Sequence, residues 1–214
     1  MLYQDQTLIV SFKIINMMNV QHINPFYQIA RWLLVVCIAI TTSCAGEGNS
    51  SRQADQPSNG TAEVPQVDIH TAVVTGNVDA IRQHIAAGTD INAKDPFGGS
   101  SPLITAAVFG KADLAKILIE AGADLNFRNN DGSTALISAA FFGRPEIVQL
   151  LLDAGADKTI KNKYGATAYD TVILPFNEVK STYDMMGKAL APMGLKLDYV
   201  YLEAVRPEIA NMLQ

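Results

Sequence analysis

The sequence predicts an all-α solenoid built from repeated helix-turn-helix-hairpin units, and three series of landmarks in one register predict it. The phrases Ala87-Gly88-Thr89-Asp90-Ile91-Asn92, Ala121-Gly122-Ala123-Asp124-Leu125-Asn126 and Ala154-Gly155-Ala156-Asp157 set their glycines 34 and then 33 residues apart. Gly76, Gly110 and Gly143 repeat those two spacings. Ser101-Pro102-Leu103, Thr134-Ala135-Leu136 and Thr167-Ala168-Tyr169 each open a run of small and apolar residues. A period of this length marks units that bury their apolar faces only by stacking on their neighbours. The composition suits a globular array, with 214 residues, 49% of them apolar and 17% charged.

Each element of a unit has a local cause. Ser or Thr opens the first helix as an N-cap, its hydroxyl accepting a backbone N–H that has no helical partner. The pairs Ala106-Ala107 and Ala139-Ala140 keep that helix thin, so that neighbouring units approach closely. Gly110 and Gly143 end it, where a left-handed residue is favoured. The second helix carries Ile117, Leu118 and Ile119, or Leu150, Leu151 and Leu152, before Gly122 or Gly155 stops it. The polar stretches 126–132 and 160–165 form hairpins to the next unit. Gly98-Gly99 marks a one-residue insertion that accounts for the period of 34.

The Ser/Thr-Pro-Leu opening, the Ala-Ala pair and the Ala-Gly-Ala-Asp ending resemble the ankyrin repeat, closely over residues 66–176 and loosely to 214. The resemblance implies an ankyrin-repeat solenoid. The family's histidine after the opening leucine is matched by His70, while Ile104 and Ile137 replace it later with an apolar fill. His84 takes the slot of Leu118 and Leu151, so a structural role is expected of both histidines.

The last unit is interrupted. Arg144-Pro145-Glu146-Ile147 and Arg206-Pro207-Glu208-Ile209 repeat one phrase 62 residues apart, which leaves roughly 29 residues beyond one period between the helices of that unit. Residues 177–190 place Val179, Tyr183, Met186 and Leu190 on one helical face. Asp198 is expected to cap a short helix through Val205, with Pro207 in the first turn of the next. Residues 177–214 therefore read as an enlarged helical C-terminal cap completing the last repeat.

The N-terminus reads as an export signal over residues 1–43, with Met17 or Met18 as alternative starts. Arg31 precedes the apolar run Trp32 to Ile40, then Thr41, Thr42, Ser43 and Cys44. A membrane-spanning helix needs about 20 apolar residues, so the run is too short for an anchor and suits a cleaved leader. It resembles a bacterial lipoprotein signal, which implies lipidation of Cys44 and a place on the periplasmic side of the bacterial envelope; a soluble periplasmic or secreted product is the alternative. Residues 44–65, rich in Gly, Ser, Asn, Gln and Pro, form a flexible tether.

No catalytic motif emerges. There is no Gly-x-Ser-x-Gly, no phosphate loop and no His-Glu-x-x-His, so neither an enzyme nor a metal or cofactor site is expected. The formal net charge of −5 argues against nucleic acid as partner. A monomeric, non-catalytic module that binds an unidentified protein is the expected function, with a toxin-neutralising inhibitor or an accessory factor of an exported enzyme as alternatives. In ankyrin proteins partners dock on hairpin tips and on the concave face of the first helices. The matching positions here are Phe97, Arg128, Asn130, Lys163 and Tyr164 on hairpins, with Val108-Phe109 and Phe141-Phe142 after the alanine pairs. An exposed stripe of Phe109, Phe142 and Tyr164 is the sharpest form of that expectation.

Overall fold

The computed structural model of the chain describes residues 65–214. The export signal, Cys44 and the tether up to residue 64 lie outside the described residues. Three helix pairs come first: α1 (Ile69–Thr75) with α2 (Val78–Ala86), α3 (Pro102–Phe109) with α4 (Ala112–Glu120), and α5 (Ala135–Phe141) with α6 (Pro145–Asp153). There follow α7 (Asp170–Ile173), α8 (Phe176–Leu190), a 3-10 turn (Ala191–Met193) and α9 (Tyr199–Leu213). Among the described residues no helix is long and apolar enough to cross a membrane.

The helices form two rows. Inner helices α1, α3, α5 and α7 stack in sequence, and outer helices α2, α4, α6 and α9 stack beside them. Inner helices are walled on several sides, which explains their composition. In α3 every residue from Pro102 to Ala107 is buried, and in α5 every residue from Ala135 to Ala140. The outer helices bury one face only, as with Leu114, Ala115 and Leu118 in α4. Large side chains on all sides of α3 would force the rows apart, whereas alanines let them close at native packing density. Ser101 and Thr134 cap α3 and α5, accepting from Ile104 N and Ile137 N, each at 3.3 Å. Gly76 and Gly110 close α1 and α3 in the left-handed region at φ 76° and 67°.

His70 and His84 both have structural roles. His70 Nε2 donates to the Ala93 carbonyl at 3.1 Å, tying α1 to the following hairpin. The buried His84 donates from Nε2 to the Val67 carbonyl at 2.8 Å and meets Thr89 Oγ1 through Nδ1 at 3.1 Å. Those two partners replace the apolar contacts made by Leu118 and Leu151 in later units, so the ring is buried without an unmet polar atom.

The last unit consists of α7 and α9, with α8 and the 3-10 turn between them. Its geometry corrects one expectation. Asp198 does cap a helix, accepting from Tyr201 N at 3.1 Å, but that helix runs unbroken to Leu213 with Pro207 inside it. The seven residues before Arg206 are helical, so the repeated Arg-Pro-Glu-Ile phrase falls mid-helix rather than in a first turn. Arg206 is buried there: Nη1 donates to Tyr183 Oη at 2.9 Å and Nη2 to the Leu174 carbonyl at 2.7 Å. Both bonds are charge-assisted, which offsets the burial of the guanidinium. On the face of α8 expected to be apolar, Tyr183 alone is fully buried, and Val179, Met186 and Leu190 are half-buried.

Candidate protein-binding surface

The hairpins carry one device three times. Asp95, Asn129 and Asn162 each accept, through the side chain, from the backbone N–H two residues on: Phe97, Asp131 and Tyr164, at 2.8, 3.0 and 3.0 Å. Their own N–H groups donate to Ser100, Ser133 and Ala166. The first hairpin has one residue more between those partners, which places the insertion at its tip. Asx turns of this kind fix a tip without needing a core beneath it.

Neighbouring hairpins are also bonded to one another. Asn130 N donates to the Gly98 carbonyl and Lys163 N to the Asp131 carbonyl, both at 2.9 Å. Arg128 Nη2 donates to the Lys161 carbonyl at 2.7 Å. At the bases, Asn92 Oδ1 accepts from Asp124 N, and Asn126 Oδ1 from Asp157 N, both at 2.9 Å. The Asp124 and Asp157 side chains close their own turns, accepting from Asn126 N and Thr159 N at 2.9 and 2.8 Å.

The tips expose aromatic side chains. Phe97 is 69% exposed and Tyr164 54% exposed, and each is the residue whose N–H the Asx side chain of its hairpin accepts. Tyr164 hydrogen-bonds the Asp131 side chain on the tip between them. Burial raises the Asp131 carboxyl above its ordinary value, against the opposing pull of Lys163 and Tyr164. Arg128, Asn130 and Lys163 are exposed around this pair, although Arg128 is engaged as an inter-hairpin strut.

The inner-helix ends differ from expectation. Val108 and Phe109, at the end of α3, are half-buried. Phe142 is buried, at 4% exposure, so the exposed stripe of Phe109, Phe142 and Tyr164 does not exist. Phe141 is half-buried under the inserted segment, its ring stacked on Tyr183 with centroids 4.5 Å apart and on edge to Phe142 at 5.1 Å. Tyr183 Oη donates to the Phe141 carbonyl at 2.6 Å. The inserted segment returns across the end of α5 and sets Tyr183 on Phe141, whereas Phe109 of the second repeat lies beside Met193 and Leu195 at its margin. Sequence reasoning missed Tyr183 and Arg206 as the residues that fix this cover, since their partners lie 42 and 32 residues away. Among the described residues no group of His, Cys, Asp and Glu is placed to hold a metal ion.

The family profile for ankyrin repeats, in three copies, matches residues 69–162. An ankyrin repeat-containing protein of Schizosaccharomyces pombe is 38% identical over 65 residues, which is 30% of this chain and 31% of the relative. Human protein phosphatase 1 regulatory subunit 27 is 38% identical over 64 residues, 30% of this chain and 41% of the relative. The matched stretch thus spans less than half of either relative, and both are eukaryotic. Among solved structures, the ankyrin repeat domain of Bcl-3, of the IκB family, is 33% identical with a TM-score of 0.47, covering 48% of this chain and 45% of that one. Landmark register, helix order and family profile converge: the chain carries an ankyrin-repeat domain, with its matched repeats at residues 69–162.

Proposed function

We propose that the domain is a non-catalytic protein-binding module that meets its partner with the row of hairpin tips. The observation that carries this reading is the pair Phe97 and Tyr164, both exposed at hairpin tips and set on backbone that is already pinned. Aromatic side chains are favoured interface anchors. A surface whose tips are held by Asx turns and inter-hairpin bonds loses little further freedom on binding. Asn130, Lys163 and Arg128 supply polar contacts beside the anchors, and Val108 and Phe109 extend the surface toward the inner helices. That one relative is named a regulatory subunit supports a binding role over a catalytic one.

The test is capture of partners by the full chain and by the Phe97→Ala, Tyr164→Ala double variant. An anchor of this kind is worth about 2 kcal/mol or more, so the double variant loses its partner while its melting temperature is unchanged. Retention of the partner by the double variant rejects the tip surface.

We also propose that Cys44 is lipidated and holds the domain at the periplasmic face of a bacterial envelope membrane. The support is the order Arg31, apolar run, small residues, cysteine. Multiple acyl chains make a firm anchor, at about 0.8 kcal/mol for each methylene buried. Cys44→Ser then releases the protein from membranes or leaves its precursor unprocessed. A processed serine variant that stays membrane-bound rejects the assignment.

A further inference from the structure

A cleft of about 310 Å³ lies between the ends of the inner helices and the chain that follows α8. Three cations line it: Lys111 and Arg144, which precede α4 and α6, and Lys196, beyond the 3-10 turn. No carboxylate lines it. Among the described residues the one ion pair within 4.0 Å is Lys180 with Asp184, so the three cations are not neutralised by acidic side chains. Val74, Phe109, Met193 and Leu195 complete the lining with apolar atoms.

Arg144 is the least satisfied of the three. Its Nη2 reaches the Val108 carbonyl at 3.3 Å, but its Nε is buried and has no acceptor. A buried donor without a partner costs about 1–3 kcal/mol, more when charged, so native structures rarely leave one without a reason. Burial holds the guanidinium below its ordinary value, and the opposing influence comes from the Tyr201 phenol, a neutral group at pH 7.

The helix starts add an independent sign. Asn77 caps α2 with its side chain, whereas Lys111 and Arg144 give α4 and α6 no side-chain cap. Each places positive charge at the positive end of a helix dipole, an unfavourable pairing that an anion reverses. The first-turn carboxylates Asp113 and Glu146 are exposed and do not line the cleft.

We propose that this cleft binds a small oxyanion, a carboxylate or a phosphate monoester, carried on a short apolar stem. The oxyanion faces the Arg144 guanidinium on its open side, away from the Nε buried over Gly110, and is neutralised by Lys111 and Lys196, while the stem lies against Phe109 and Met193. The volume sits at the small end of ligand pockets, which run from about 300 to 1,000 Å³. The site joins the first three repeats to the inserted segment, and none of its lining residues is a hairpin tip.

The test is calorimetric titration of the full chain with phenyl phosphate, benzoate, inorganic phosphate and benzyl alcohol. Phenyl phosphate or benzoate is expected to bind saturably at about millimolar strength, in keeping with the affinity available per ligand atom. Whichever of the two binds more tightly identifies the headgroup. Inorganic phosphate is expected to be weaker for want of a stem, and benzyl alcohol inert for want of charge. Arg144→Gln should weaken binding about tenfold, as loss of a charge-assisted contact does. Lys196→Gln, at an exposed position, keeps the test open if the arginine variant fails to fold, and should weaken binding about threefold to fivefold. Absence of saturable binding by both aromatic anions overturns the proposal, as does binding that neither variant weakens.

Discussion

Arg144 and Arg206 open the same four-residue phrase and meet opposite fates. Arg144 stands just before α6, half-buried, with a buried Nε that finds no acceptor. Arg206 stands in the middle of α9, buried, with two donors engaged by Tyr183 and Leu174. What separates them is the chain upstream. Gly143, at φ 64°, ends one turn immediately before Arg144, whereas Asp198 starts a helix well before Arg206 and carries it through the phrase. The same contrast runs along the turns. A Cβ on Gly76 would meet Lys111, and one on Gly110 would meet Arg144, but on Gly143 it would meet Leu202 and Val205. A cationic cover gives way to an apolar one where the repeats end. A short motif therefore fixes its backbone role only when its helix start is also fixed.

The largest test of this contrast removes the apolar cover. We propose that residues 177–214 act as a terminal cap, since Val205, Ile209 and Leu213 belong to the common core. Their deletion uncovers Val148 and Leu151 and should give an insoluble or partly unfolded product, because stacked repeats need a polar outer cap. Sedimentation and a thermal melt of the truncated chain decide it; a monomer that melts like the parent excludes the cap.

Next in size is the pair of equivalent phenylalanines. Phe142→Ala should cost about 3–5 kcal/mol, as buried phenylalanines do. Phe109→Ala, half-buried at the margin of the insert, should cost about 1–2 kcal/mol by the area it leaves exposed. Urea unfolding of both variants reads the difference, and equal losses would mean that the insert covers both rings alike.

The two arginines give a smaller separation. Arg206→Ala strips the donors from Tyr183 and the Leu174 carbonyl and should cost about 2–3 kcal/mol. Arg144→Ala removes a donor that was never satisfied and should stay within about 1 kcal/mol of the parent. Denaturant midpoints of both variants, at constant slope, measure it.

The smallest effect lies at the first helix, far from the insert. Asp68 caps α1, and its carboxyl is held below the ordinary value first by the Thr71 hydroxyl and then by backbone N–H groups. A depressed carboxyl stabilises the fold above its unfolded pKa, and that gain is lost as pH falls through the folded value. Asp68→Ala should therefore cost about 1 kcal/mol at neutral pH. The difference from the parent should shrink below about pH 4, where carboxylates protonate. Melts across that range follow it.

The regular part of the fold was legible because each landmark has a local cause. Ser101 and Thr134 cap, Gly76 and Gly110 turn, and the alanine pairs permit stacking, all within a few residues of chain. His84 was legible by alignment with Leu118 and Leu151. The burial of Phe142 was not, because nothing in the repeat register announces that α8 returns across α5. Nor was the place of Pro207, since Pro145 set a precedent at a first turn that Asp198 overrides. The oxyanion cleft was invisible for a related reason: its lining comes from residues 74, 109, 111, 144 and 193–196, which only the fold brings together.

The asparagine struts have a consequence for how such an array grows. Asn92 holds the next unit at Asp124 and Asn126 holds the one after at Asp157, but the corresponding position in the third ending is Thr159, whose hydroxyl bonds back to Asp157. A duplicate of residues 93–126 would bring its own Asp124 and Asn126 to each new junction and lengthen the stack with its existing chemistry. One spliced in after Asp157 would meet a threonine engaged with its own turn and would begin without a strut. Duplication is thus favoured from the middle of this chain, and its C-terminal edge is a closed end.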